Sequence, residues 1–158
     1  MVKRLDQGLR HIAAISMPDL ANIPGAGAAG GLGFGVLAFL GGELRPGVDL
    51  LLDCAGFGAL LAGADLVITG EGRMDAQTLQ GKAPYGVLRR AREKRVPVVA
   101  LCGCLGQGSE ALLAAGFAGI YPAVGAQKPL EELLQTCRED LYNAALRAAR
   151  EYMAFKKS

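Results

Sequence analysis

Three short apolar runs, near residues 65–69, 97–101 and 118–122, constrain the fold of this chain more than any other feature. Each has the length of a buried strand, and each is followed by residues with helical spacing. Helices are predicted over 85–95, 109–115 (with Ser109 as N-cap), 129–134 and 136–155. The last of these sets Leu141, Ala145, Ala148 and Tyr152 on one stripe. Strand and helix alternating at this distance imply right-handed crossovers, since parallel neighbours cannot be joined by a hairpin. The fold class expected is therefore α/β, with a parallel βαβ sheet. A chain of 158 residues is long enough for one domain with a sizeable core.

The first third reads differently. Val2, Leu5, Leu9, Ile12 and Ile15 recur at three- and four-residue steps, the pattern of an amphipathic helix. Pro18 and Pro24 punctuate the loop that follows. Glycine then dominates. The chain holds 23 of them, against roughly 11 expected from an ordinary usage of about 7%. Gly25, Gly27 and Gly30 match GxGxxG, but the prolines interrupt the place where the required strand would run. Two readings stay open. Gly27, Gly31 and Gly35, four apart, offer a smooth helix face for close packing; alternatively, the amides of Gly25, Gly27, Gly30 and Gly31 hold a phosphate or carboxylate at a helix N-terminus, a nucleotide or anion site. Residues 48–52 and 57–62 are short apolar segments, the second helical.

Composition closes several routes. Net charge is +2 and basic residues form no long run, so a nucleic-acid footprint is not expected. The low-charge stretch 23–42 is too rich in Gly and Ala for a membrane span. The N-terminus lacks the apolar core of a signal peptide. Cys54, Cys102, Cys104 and Cys137 have no zinc spacing and His11 is the lone histidine; four such thiols suit a reducing cytoplasm.

Chemistry concentrates in residues 70–84, GEGRMDAQTLQGKAP, which leave the first strand and enter a helix. Loops at the carboxyl ends of strands are where ligands bind in open α/β sheets. Gly81-Lys82 is not followed by Ser or Thr, so this is not a Walker loop. Arg73 can grip a carboxylate, and Lys82 can neutralise charge on a transferring phosphoryl group. Glu71 and Asp75 can hold Mg²⁺, or one of them can accept a hydroxyl proton. Thr78 can cap the following turn or meet a phosphate. Gln77, Gly70 and Gly72 complete a set aimed at a charged small molecule, and phosphoryl transfer asks for little beyond positioning and electrostatics.

The same residues resemble a known family. GEGRMDAQTLQGKAPYGV is similar to the GEGRxDxQTxxGKxPxGV signature of the bacterial type I glycerate kinases, and residues 24–35 are similar to that family's PGAGAAGGLGxG segment. Residues 43–47 and the LxGxLG pattern at 101–106 also fit. The resemblance implies ATP-dependent phosphorylation of D-glycerate to 2-phosphoglycerate with Mg²⁺, and two α/β domains, one inserted in a doubly wound Rossmann-like one. On it, Asp75, Lys82 and Glu71 are expected to be catalytic and Arg73, Gln77, Thr78, Gly70 and Gly72 to bind substrate. Residues 1–70 would belong to the inserted domain and 71–158 to the Rossmann-like one. The family's early strand and its Pro-Asp-Ser-Phe-Lys-Gly and Gly-Pro-Gln-Lys-Gly segments have no counterpart here. The chain is thus expected to be a C-terminal portion that self-associates or pairs with an N-terminal half. The competing readings are a non-catalytic module binding an anionic metabolite or nucleotide, and a structural remnant with no ligand.

Overall fold

The computed structural model describes residues 2–124 and 130–156. They divide into two compact units, Met1–Pro46 and Gly47–Ser158. The boundary expected after residue 70 falls inside a strand of the second unit.

The first unit is helical. Helix α1, Val2–Ile15, forms where its spacing predicts, yet Val2, Leu5 and Ile15 are 81%, 61% and 71% exposed and only Ala13 is buried. A 3-10 turn over Pro18–Leu20 leads to α2, Ala28–Leu40. The first turn of α2 is left-handed: Ala29, Gly30 and Gly31 have φ of 51°, 67° and 92°. A Cβ at Gly31 would stand 2.7 Å from the Leu9 side chain, and one at Gly33 would strike the Gly25 carbonyl. The Phe34 amide donates to the Ala26 carbonyl at 2.7 Å, which closes a small core of Ala13, Ala26 and Phe34. The close packing therefore falls on Gly31 and Gly33. Side chains at Gly27 and Gly35 would meet nothing within 4 Å, so the four-apart glycine face is not the packed one.

The second unit is a three-layer α/β sandwich. Helices α3, Gly47–Cys54, and α4, Phe57–Leu60, precede β1, Val67–Met74. There follow α5, Ala83–Glu93, β2, Val98–Leu105, α6, Glu110–Ala115, β3, Gly119–Pro122, and α7, Leu130–Phe155. The sheet is parallel in the order β1-β2-β3, as the alternation of elements predicts. Side chains alternate across β2 with the strand period of two. Val98, Ala100 and Cys102 pack with Leu88 and Ala91 of α5 and Leu112 of α6. Val99 turns the other way, toward Tyr121 and the α7 residues Ala144 and Ala148.

Three expectations change. β1 continues through Glu71 and Arg73 to Met74, because Gly70 and Gly103 let the two backbones meet: a Cβ at Gly70 would strike the Leu101 carbonyl, and one at Gly103 would lie 2.5 Å from the Gly72 oxygen. β2 likewise continues past residue 101, where the predicted strand ends, to Leu105, with Arg73 opposite Cys104 and Met74 opposite Leu105. The two C-terminal helices are one from residue 130 onward, a stretch with neither Gly nor Pro to stop it; Pro129 lies outside the described residues. Ser109 holds the N-cap position of α6 without a side-chain hydrogen bond. Among the described residues the outer edges of β1 and β3 have no partner strand, and no helix is long and apolar enough to cross a membrane.

Candidate functional site at the carboxyl end of the sheet

Because β1 runs to Met74, Glu71 and Arg73 are strand residues and Asp75 is the first residue beyond it. The chain then makes a 3-10 turn, Ala76–Gln80, closed by a capping box. The Asp75 carboxylate accepts from the Gln77 amide at 2.9 Å, and the Thr78 hydroxyl accepts from the Asp75 amide at 3.2 Å. That same hydroxyl donates to Glu71 Oε1. Thr78 is fully buried, so it joins the two acidic residues from beneath. Gly81, at φ 99°, turns the chain back to Lys82, the N-cap of α5, and Pro84 suits the first turn of that helix. The ammonium consequently returns to the carboxylates: Lys82 Nζ lies 3.8 Å from Glu71 Oε2 and 3.7 Å from Asp75 Oδ1.

These contacts are looser than charge-assisted hydrogen bonds of about 2.7–2.9 Å. Arg73 Nε is likewise 3.8 Å from Asp75 Oδ2, and its side chain is 63% exposed. Both cations can thus turn to an anionic ligand. Glu71 Oε1 and Asp75 Oδ1 already hold protein donors, while Glu71 Oε2 and Asp75 Oδ2 accept no hydrogen bond from the described residues. Two carboxylate oxygens suit Mg²⁺, which completes its shell with water and phosphate oxygens rather than with an all-protein cage. Among the described residues no group of three or more His, Cys, Asp or Glu forms such a cage.

The turn after β2 supports this wall. The Gly106 amide donates to the Met74 carbonyl at 2.7 Å, and the Ala76 amide to the Gln107 carbonyl at 3.2 Å. A Cβ at Gly106 would sit 2.7 Å from both Arg73 Nε and Asp75 Cβ, so this glycine leaves room for the pair.

Beside the polar cluster, a cavity of about 610 Å³ opens over the strand ends, lined by residues 71–73, 101–105 and 122–124 and by Leu133, Cys137 and Leu141 of α7. The β2 strand end and the α7 wall were missed as site residues. The glycines at 103 and 106 made the β2 end read as a turn, and the Leu141 stripe read as core. Within the wall, burial, with Cys104 and Glu71 adding to it, pushes the Cys102 thiol up to about 11, so it stays protonated near neutral pH. Cys104 and Cys137 are exposed.

Gly70, Glu71, Gly72, Arg73, Asp75, Gln77, Thr78 and Lys82 are thus brought together in the second unit. Gly25, Gly27, Gly30 and Gly31 belong to the first, where a smaller cavity of about 180 Å³ adjoins Gly27 and Gly31. The Gly31 amide there donates to the Gly27 carbonyl at 3.3 Å.

Known proteins resemble this chain along most of its length. The model of the glycerate kinase family matches residues 1–153. A glycerate kinase of Halalkalibacterium halodurans is 47% identical over 85% of this chain and 36% of its own length. One from Haemophilus influenzae is 38% identical over 99% of this chain and 42% of its own. A crystal structure reported as a glycerate kinase 2 from Salmonella typhimurium LT2 superposes with a TM-score of 0.64 at 35% identity, covering 85% of this chain and 34% of that one. The chain therefore spans about two fifths or less of these relatives, and by its sequence and its fold it belongs to the glycerate kinase family.

Proposed function

We propose that this chain supplies the carboxyl-terminal part of a glycerate kinase, which transfers the γ-phosphoryl group of ATP to a hydroxyl of D-glycerate and yields 2-phosphoglycerate. The observation that carries the reading is the convergence of Glu71, Asp75 and Lys82 within 4 Å at the end of β1. Arg73 holds the substrate carboxylate, for which its exposed guanidinium is suited. Lys82 meets the negative charge spread over the transferring phosphoryl oxygens. Asp75 or Glu71 accepts the hydroxyl proton. Bound Mg²⁺ would be held by whichever of Glu71 and Asp75 does not take the proton, and would neutralise phosphate charge. Thr78 acts through its two acidic partners and positions them; Gln77 holds Asp75 through its amide.

In this reading the early part of the chain belongs to an inserted domain and the part that follows to a Rossmann-like one. The active unit also needs the share of the relatives' length that this chain does not span, and it works in the cytoplasm. The 158 residues alone are then expected to release no ADP in a coupled assay with MgATP and D-glycerate. Turnover at about 1–100 s⁻¹, the ordinary kinase range, would remove the partial-site reading. With the family's N-terminal portion added, turnover should appear, and Asp75→Asn should lower kcat far more than it raises KM, since its charge matters most in the transition state. A chain that binds MgATP with or without that portion and never turns over would instead be a binding module.

A further inference from the structure

Gly70 and Gly72 sit two apart on β1, and the structure accounts for only one of them. A side chain at Gly70 would strike the Leu101 carbonyl, so strand pairing explains it. Gly72 has no positive φ, and a Cβ there would meet nothing within 4 Å. It also lines the 610 Å³ cavity, so the space left open by its missing side chain belongs to that cavity. The volume falls in the range of roughly 300–1,000 Å³ that holds ligands far larger than a three-carbon hydroxy acid. Its lining is divided. Glu71 and Arg73, on the edge strand β1, are its charged members, and glycines, thiols and apolar side chains form the rest, including Leu105 and Leu141, which are 43% and 47% exposed. Largely apolar walls with charge on one edge strand match a flat heterocycle carrying a polyphosphate, whereas glycerate has no apolar body to cover them.

Building on the kinase reading, we propose that this cavity takes the base and ribose of the nucleotide, with Gly72 the point of closest backbone approach. The phosphates run past Arg73 toward Lys82. The nucleotide site thus lies at the strand ends of the second unit.

The cysteines provide the test. Cys104 and Cys137 line the cavity and are exposed; Cys54, on α3, is exposed and does not line it. Iodoacetamide labelling of the 158-residue chain, read by peptide mass spectrometry, is compared with MgADP, with D-glycerate and with neither. The expected result is at least tenfold slower alkylation of Cys104 and Cys137 under saturating MgADP, with Cys54 unchanged. Gly72→Leu should abolish that protection while leaving the melting temperature of the free protein where it was. Leu141→Asp, at an exposed wall position, should also abolish it and covers the case of a misfolded Gly72 variant. A melting temperature raised by MgADP with both thiols alkylated at the original rate overturns the subsite and leaves the kinase reading standing. No thermal shift and no protection overturns the subsite, and the same result with the family's N-terminal portion added overturns the kinase reading as well. Protection by D-glycerate alone, uniform protection of all three cysteines, or protection that survives in a folded Gly72→Leu each overturns the subsite.

Discussion

At the scale of single residues, the second unit separates groups that hold the fold from groups that face a ligand. Gly70 is of the first kind: Gly70→Ala pushes a methyl into the Leu101 carbonyl, and overpacking of this sort costs about 1–3 kcal/mol. Gly72→Ala meets open space and should lie within about 0.5 kcal/mol of the parent. Denaturant unfolding of the two variants side by side checks the difference. Tyr121 gives a pH signature. Its hydroxyl donates to Glu151 at 2.8 Å, and burial, this bond and the carboxylate's charge push its pKa from 10 up to about 12. In the unfolded chain the phenol ionises near its ordinary value of about 10, while the folded one keeps its proton until about 12. The stability it contributes is whole below pH 10 and is lost as the pH rises toward 12. Tyr121→Phe should flatten the melting temperature over that window, and an unchanged alkaline slope would contradict the assignment.

At the scale of elements, α3 and α5 meet through two kinds of contact of unequal weight. Arg89 reaches Asp49 at 2.6 Å and Arg90 reaches Asp53 at 2.6 Å, both near the surface. Exposed pairs of this kind are worth about 0–1 kcal/mol. Below them, a Cβ at Gly86 would stand 2.6 Å from a Val48 methyl. Gly86→Val is therefore expected to cost more than 1 kcal/mol, and Arg89→Ala less than 1 kcal/mol, with the latter shrinking further in salt. Calorimetry at two ionic strengths tests the order. The legibility of the elements follows the same physics. The βαβ order was plain because buried parallel strands and amphipathic helices carry opposite periods. The ends of β1 and β2 were not, because GEGRM and CGCL contain the residues that normally mark turns, while here the glycines bring two strands together. The site residues from Glu71 to Lys82 stood out through charge and glycine spacing. The apolar wall on Leu133 and Leu141 did not, since an exposed leucine over a cavity has the same pattern as a buried one. Ala29 gave no sign of its left-handed turn, which is set by the packing of Gly31 on Leu9.

At the scale of the whole molecule, apolar surface remains open. Val2, Leu5 and Ile15 of α1, Ile68 of β1 and Phe155 of α7 are each at least 60% exposed, and β1 offers an outer edge without a partner strand among the described residues. Such an edge is a template for another chain. The purified protein is expected to associate as its concentration rises, which light scattering will register; a monodisperse monomer into the millimolar range would contradict this. Helix α7 adds one more consequence. Near its end, the Tyr152 hydroxyl donates to the Asp65 carbonyl at 2.8 Å and Lys156 pairs with Asp65 at 2.8 Å, so the last turns of the chain fasten to the residues that lead into β1. During synthesis the sheet's three strands emerge first, and Val99 and Tyr121 have no cover until α7 follows. At about 5–20 residues per second, the stretch from Pro122 to Tyr152 takes roughly 1.5–6 s to appear. For those seconds the nascent chain shows one sticky side, and a chaperone that catches it there decides how much of the protein reaches its final form.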